Sequence, residues 1–271
     1  METIIDSSGC NEIGELSKED INLDIERRKF IIRNRLRNSA GTKRLGVFWL
    51  ILDPVAISMV YLFVLTVVRS HPNFESLFIG VSMYRIFNVS FMSGVRSIKD
   101  FSGGIVCERI RSNVLINASL RYRTIETLLQ SSGISCILYF YLKVSIIGMF
   151  CFILISLLMG ILAEGVGFNL SKVIRRIPDF DNLIRYFLLL MFFGSPVLYS
   201  MSFTTGLHYT INGYNPFTYF VELVRHTSGV ESVFFDLSSN VMFFMMTLIF
   251  LVAVRGFYQI DKLRWEISSW S

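Results

Sequence analysis

Six apolar runs, separated by polar or charged residues, are the feature that most limits what this chain can fold into. With their flanks counted, even the shorter runs approach the roughly 20 residues that a helix needs to cross a bilayer. The pattern predicts an all-α, polytopic membrane protein with six transmembrane helices within residues 45–258. The runs cover 45–68, 77–95, 124–141, 144–168, 183–201 and 241–254, the last extended at its start by part of 233–240.

Composition agrees with a membrane protein, since 52% of the 271 residues are hydrophobic and only 17% are charged. The net charge of +5 raises the question of nucleic acid. However, the excess cations flank apolar runs, as the positive-inside rule requires, so we expect no nucleic-acid partner. The four cysteines have neither metal-ligand spacing nor a disulfide framework and are interpreted as free thiols: Cys10, Cys107, Cys136 and Cys151.

The polar flanks divide into three segments. Residues 1–23 are acidic, and we expect them to be poorly ordered or loosely attached. Residues 24–38 alternate arginines with apolar side chains, which favours an amphipathic interface helix on the anionic inner leaflet, with a soluble helix as the alternative. No cleavable signal peptide is visible, so the first span is expected to direct insertion. Residues 259–271 form a predicted cytosolic tail.

Orientation follows from the positions of the cations. Most of the 26 Lys and Arg residues fall before 45, within 96–123, within 172–185 or at the end of the chain. Because cytosolic loops carry an excess of Lys and Arg, both termini are predicted to be cytosolic.

The stretch 182–226 does not fit a simple helix. Its apolar part contains Gly194 and Pro196 and is followed by a polar crest, and residues 214–226 are too short and too charged to span. We predict a re-entrant or interfacial helical hairpin on the outer side, before the last helix, that acts as a gate. Four tyrosines of this stretch fit either sugar stacking or an ordinary interfacial belt: Tyr199, Tyr209, Tyr214 and Tyr219.

No Gly-x-x-x-x-Gly-Lys-Ser/Thr, His-Glu-x-x-His or Gly-x-Ser-x-Gly motif occurs, which argues against an enzyme. Energy for uphill transport would have to enter through a partner that docks in the cytosol. The segment 96–123 mixes charged and apolar residues and is the best candidate for that contact. An ordinary solvated loop is the alternative. The charged candidates are Arg96, Lys99, Asp100, Glu108 and Arg109.

The last group of candidate residues consists of charged side chains within the predicted spans. Arg85 lies midway through the second run, where a cation costs about 2.5 to 3.5 kcal/mol unless it is paired or hydrated. It is either a member of a structural ion pair or a cation on a transport path. Asp53 is expected to lie at the start of its helix, and Glu126 and Glu164 near helix ends.

Two stretches carry a resemblance to a known family. One is Ser195-Pro196-Val197-Leu198-Tyr199 followed by Asn-Pro-Phe-Thr at 215–218, then Glu222 and Arg225. The other is Gly-Thr-Lys-Arg-Leu-Gly-Val-Phe-Trp-Leu-Ile-Leu-Asp-Pro at 41–54. Over roughly 25–265 the chain resembles type-2 ABC exporter permeases, in particular those that export capsular polysaccharide and O-antigen chains.

The resemblance implies a permease subunit in the bacterial inner membrane that works as a homodimer with two copies of a separate ATPase. ATP and Mg would bind that ATPase, with no cofactor in this chain. The implied substrate is an acidic, lipid-linked capsular polysaccharide, passed to a periplasmic export partner. Path and gate residues would be Arg85, Pro196, Tyr199, Tyr214, Pro216, Tyr219, Glu222 and Arg225.

Several alternatives remain beside this interpretation. An O-antigen, teichoic-acid or drug exporter permease belongs to the same class, whereas a passive channel or a membrane scaffold would need no ATPase. The chain departs from the family pattern in its acidic residues 1–23 and in the asparagines of the crest, Asn212 and Asn215.

Overall fold

The computed structural model describes residues 3–6, 9–12, 18–40, 48–68, 74–102 and 112–262. Within these ranges the regular secondary structure is helical except for a short antiparallel hairpin at the start, so the all-α prediction holds for the body of the fold. The hairpin is β1, Thr3–Asp6, and β2, Gly9–Glu12. The helices are α1 Lys18–Ala40, α2 Trp49–Val68, α3 Phe74–Ser102, α4 Ser112–Leu142, α5 Ile146–Arg176, α6 Phe180–Gly194, α7 Gly206–Gly213, α8 Pro216–Thr227 and α9 Ser239–Lys262.

The helix boundaries differ from the predicted ones mainly because the helices continue through polar residues that the prediction had assigned to loops or to a poorly ordered segment. Helix α1 starts at Lys18, inside the segment predicted to be poorly ordered, and the hairpin precedes it. Helix α4 starts at Ser112 rather than at 124, and α5 continues to Arg176 rather than to 168. Between α4 and α5 the chain turns at Lys143, which has a φ of 53°.

Helix α5 is the centre of the bundle and packs against α3, α4 and α9. Small residues permit this close approach. A side chain at Gly94 of α3 would overlap the backbone of Glu164, and one at Gly167 of α5 would overlap the backbone of Phe91. The two helices therefore pack nearly backbone to backbone, as small residues allow in membrane bundles.

Contacts along α3 fix the directions of its neighbours. Met83 of α3 accepts a hydrogen bond from Ser156 of α5, and Gly94 lies beside Glu164, so α3 and α5 run in the same direction. Helix α6 runs the opposite way, since Tyr84 contacts Leu188 while Arg96 contacts Asp181. The bundle has two ends. We call one the hairpin end, after the helical hairpin α7–α8, and it also contains the start of α3. We call the other the arginine end, which contains the last turns of α3 and the start of α6.

Two helical segments of the described chain are long and apolar enough to cross a membrane, namely Ile146–Arg176 and Ser239–Gln259. A shorter apolar stretch, Ile51–Val64, lies in α2. Large apolar side chains are nevertheless exposed on the outer faces of several helices, where a lipid-facing surface would need them. Examples are Phe63, Val67, Phe150, Leu154, Leu190, Phe243 and Leu251.

Candidate functional site

The chain breaks between α6 and α7. Helix α6 ends at Gly194, and the N–H of Ser195 still donates to the Met191 carbonyl at 2.9 Å. Pro196 follows and is buried. Because proline carries no N–H and its ring blocks the preceding turn, the helix does not continue. The predicted fifth run, which reached 201, is therefore shorter as a helix.

Helix α8 starts from a defined cap. The Asn215 side chain accepts a hydrogen bond from the Phe217 N–H at 3.1 Å and donates to the Ser195 hydroxyl at 2.8 Å. Pro216 occupies the first turn, where its missing N–H costs nothing. Asn215 thus caps α8 and ties its start to the break after α6.

The Glu222–Arg225 pair is the main polar feature of the hairpin end. Both side chains are 0% exposed, and Nη1 of Arg225 lies 2.7 Å from Oε1 of Glu222. Arg225 Nη2 also donates to the Ser76 carbonyl at 3.0 Å, and Glu222 Oε2 accepts from the Val233 N–H at 3.1 Å. The sequence predicted a short amphipathic helix at or dipping into the interface, with these charges turned away from its apolar face. The structure adds that the charged side is covered as well, by the start of α3 and the segment after α8.

The tyrosines of this stretch differ in exposure. The Tyr219 hydroxyl donates to the Gly213 carbonyl, and the side chain is buried. The Tyr199 hydroxyl lies 2.9 Å from both the Gly194 carbonyl and His208 Nε2. Tyr214, by contrast, is 56% exposed. Tyr219 therefore belongs neither to an interfacial belt nor to an open sugar platform, whereas Tyr214 is accessible.

Arg85 and Asp53 form an ion pair between α3 and α2. Arg85 Nη2 lies 2.6 Å from Asp53 Oδ2, and the two side chains are 37% and 39% exposed. The structural alternative for Arg85 is thus present in the geometry, with the pair still accessible. Asp53 is the fifth residue of α2 and so lies near the start of its helix, and its carboxylate contacts the neighbouring helix α3.

Arg96 forms a bidentate ion pair with Asp181 at the start of α6. Its Nε and Nη2 atoms lie 2.9 Å from the two carboxylate oxygens, and Arg185 also donates to Asp181 at 3.1 Å. Asp181 precedes the predicted fifth span, and the hydrogen bond from Arg96, aided by Arg185, holds the pKa of this carboxyl below its usual range.

The predicted cytosolic loop is consequently shorter than expected. Arg96 was predicted to lie in it, but α3 continues to Ser102, which leaves Arg96 on a helix and within an ion pair. Lys99 and Asp100 belong to the last turns of α3, and their side chains lie outside the described residues. Glu108 and Arg109 also lie outside the described residues.

Two glutamates occupy the inner part of the bundle. Glu164 is 1% exposed in the middle of α5, not near a helix end as predicted, and accepts a hydrogen bond from Ser119 of α4 at 3.3 Å. Arg35 of α1 donates to the same Ser119 hydroxyl. Glu126 pairs with Arg123 on α4. These contacts tie α1, α4 and α5 together at the arginine end.

A cavity of about 400 Å³ opens at the arginine end between α3, α4 and α6. Sequence reasoning missed it because its arginines come from three separate helices. Among the described residues, no group of three or more His, Cys, Asp or Glu could hold a metal ion. The cavity is lined by Asn88, Val89, Met92, Ser93, Arg96, Arg123 and Arg185.

The described residues thus form a helical bundle with apolar outer faces, a break between α6 and α7 at one end and a basic cavity at the other. The family model of the ABC-2 type transporter matches residues 28–228, so the chain belongs to that family and is a membrane protein of the transport permease class. The match includes α3, α4, α6 and α8 and therefore both ends of the bundle. No curated protein matches the chain.

Proposed function

We propose that the chain is the transmembrane permease subunit of an ABC exporter in a bacterial inner membrane. The family match over residues 28–228 carries this proposal. In the proposed arrangement α2, α3, α4, α5, α6 and α9 are the six spans. The excess of Lys and Arg near the arginine end supports a cytosolic position for that end and for both termini. The hairpin end then faces outward.

Two copies of the chain and two copies of a separate ATPase complete the proposed exporter. ATP and Mg bind the ATPase, and its closure moves the segment between α3 and α4. The charges proposed to contact the ATPase are Lys99, Asp100, Glu108 and Arg109. Arg96 has a different proposed role, namely to connect α3 with α6, because its contact with Asp181 joins the end of α3 to the start of α6. Motion of the segment would thus reach α6 directly.

The proposed substrate is an acidic, lipid-linked capsular polysaccharide that a periplasmic partner receives. Accessible cations within the membrane domain support an acidic polymer, since Arg85 remains about one-third exposed although it is paired. At the gate, Tyr199 and Tyr214 are accessible enough to meet sugar. Pro196, Pro216, Tyr219, Glu222 and Arg225 instead hold the hairpin in shape.

Association with the ATPase is the first test. Charge reversal at Lys99 and Arg109 together should abolish copurification of the ATPase and surface glycan. The matched control is Lys143→Glu, which reverses an exposed cation in the turn between α4 and α5 at the opposite end. If the double reversal left both readouts intact, the docking assignment would be wrong.

The substrate has a separate test at Arg85. Arg85→Ala should lower export of an acidic glycan more than export of a neutral glycan by the same exporter, measured as surface glycan per cell. Asp53→Ala is the control, because it removes the partner but keeps the cation. Equal losses for both glycans with Arg85→Ala would assign the residue a structural role alone.

A further inference from the structure

We infer that the basic cavity at the arginine end binds the phosphate headgroup of a membrane lipid that enters from the side. The inference rests on the proposed function for the placement of this cavity in the cytosolic half of the membrane. It adds a site and a ligand class, namely a lipid phosphate monoester or diphosphate.

The floor of the cavity is a single face of α3. Asn88, Met92 and Arg96 are spaced by about one turn, as are Val89 and Ser93 beside them. All five are partly exposed, whereas their neighbours Ser90, Phe91 and Val95 on other faces are buried. A helix that is otherwise packed into the bundle therefore leaves one mixed polar and apolar stripe open.

The charge of the lining has one sign. Among the described residues that line the cavity there are three arginines and no carboxylate. Arg96 and Arg185 share the one carboxylate of Asp181 behind the lining, which leaves a surplus cation. Arg123 pairs through Nη1 with Glu126, but its buried Nε has no hydrogen-bond partner among the described residues. A phosphate accepts hydrogen bonds from several guanidinium groups at once and also neutralises the surplus charge.

The surroundings favour a lipid over a free anion. Val89 and Met92 supply apolar lining beside the arginines. On α6, which forms one wall, Leu189 and Phe193 follow Arg185 at intervals of four residues, and both large apolar side chains are exposed. Toward the hairpin end, α2 and α6 meet through Tyr61 and Phe192, whose ring centroids lie 5.0 Å apart. A headgroup in the cavity would thus leave its acyl chains along the exposed apolar face of α6.

Native mass spectrometry of the purified chain in detergent micelles can test this inference. Micelles doped with phosphatidic acid or with phosphatidylcholine would report retained lipid, and a separate arm would offer inorganic pyrophosphate. Arg185→Gln should reduce retention of phosphatidic acid about tenfold, because one charge-assisted contact is lost. Arg185→Lys should recover most of it. Arg176→Gln is the matched control, since it removes an exposed arginine at the end of α5 that does not line the cavity.

The outcomes separate the possibilities. Selective loss of phosphatidic acid in Arg185→Gln, with Arg176→Gln and phosphatidylcholine unchanged, would support the site. Equal losses in both variants would overturn it, as would pyrophosphate binding without any preference for the lipid. The measurement needs neither ATPase nor polysaccharide, so a failed export assay would leave it standing, and a failed lipid assay would leave the exporter assignment standing.

Discussion

Arginine–carboxylate contacts lie beside both ends of α3, yet they differ in accessibility and in charge balance. At the hairpin end, Arg225 and Glu222 are each 0% exposed and face each other one to one. At the arginine end, Arg96 and Arg185 are 35% and 59% exposed and share Asp181. The first arrangement is buried and has no net charge, whereas the second is accessible and contains one more cation than carboxylates.

This difference indicates different functions for similar chemistry. A buried pair contributes little net stability when it is intact, but loss of one partner leaves an uncompensated charge in a medium that cannot solvate it. An accessible pair loses little when one partner is removed, because solvent replaces the contact. The hairpin end is thus built to keep one shape, and the arginine end is built to exchange partners.

The largest expected effect comes from removal of Arg225 alone. Arg225→Met leaves the Glu222 carboxylate buried without its cation and should lower the free energy of unfolding by about 3–5 kcal/mol. Chemical denaturation of the detergent-solubilised chain, followed by intrinsic fluorescence, would measure the loss.

The double variant Glu222→Met with Arg225→Met is the control for that prediction. It removes both charges and retains apolar volume, so it should recover most of the stability lost in the single variant. If the double variant were as unstable as Arg225→Met, the lost packing rather than the stranded charge would explain the effect.

The next effect concerns the contact between α3 and the break after α6. A side chain at Gly80 would overlap the backbone carbonyl of Val197, so Gly80→Ala should cost about 1–3 kcal/mol in unfolding free energy. Gly213→Ala is the matched control, since nothing lies within 4 Å of the added methyl group. Similar stabilities for the two variants would contradict close packing between α3 and the break.

A smaller effect is expected midway between the two ends. The buried Tyr84 hydroxyl donates to the Leu188 carbonyl at 2.6 Å, so Tyr84→Phe should cost about 1 kcal/mol of unfolding free energy. Tyr186→Phe on the exposed face of α6 should change nothing measurable. An equal loss in the two variants would show that the Tyr84 bond does not hold α6 against α3.

The helical fold could be predicted from local features. Apolar runs predicted where helices lie, Pro196 indicated the break, and the short, charged stretch 214–226 indicated α8. Helix ends were harder, since Arg121 and Arg123 looked like loop residues although α4 contains both. Arg121 is exposed, and Arg123 pairs with Glu126 three residues later on the same helix, so neither cation needs a loop.

The candidate site depended more on contacts between distant residues. Periodicity assigned Glu222 and Arg225 to the polar side of α8, but the start of α3, with the Ser76 carbonyl, covers that side. Asp181 stands directly before the fifth run and could have been noticed as a counter-ion. Its pairing with Arg96 still joins residues 85 positions apart, which sequence spacing alone does not specify.

The smallest effect on stability is expected for Asp181→Asn. This variant should also increase lipid retention, whereas Arg185→Gln should reduce it. The exposed arginines limit the loss at neutral pH to less than about 1 kcal/mol in unfolding free energy. Because the pKa of Asp181 is lowered in the fold, its contribution is present above the pKa of the unfolded chain and disappears as the pH falls through the folded value. The stability difference from the unmodified chain should thus be constant between about pH 7 and 5, begin to decline near about pH 4, and vanish only below the lowered pKa of the folded chain.

The same variant also separates the two ends by ligand binding. Without the Asp181 carboxylate, Arg96 and Arg185 lose their shared partner, so retention of phosphatidic acid in the micelle assay should increase. Carboxylate removal at the hairpin end, as in Glu222→Gln, should instead lower stability without increasing lipid retention. If Asp181→Asn weakened lipid retention as much as Arg185→Gln, the carboxylate would be holding the arginines in their binding geometry rather than competing with the phosphate for them.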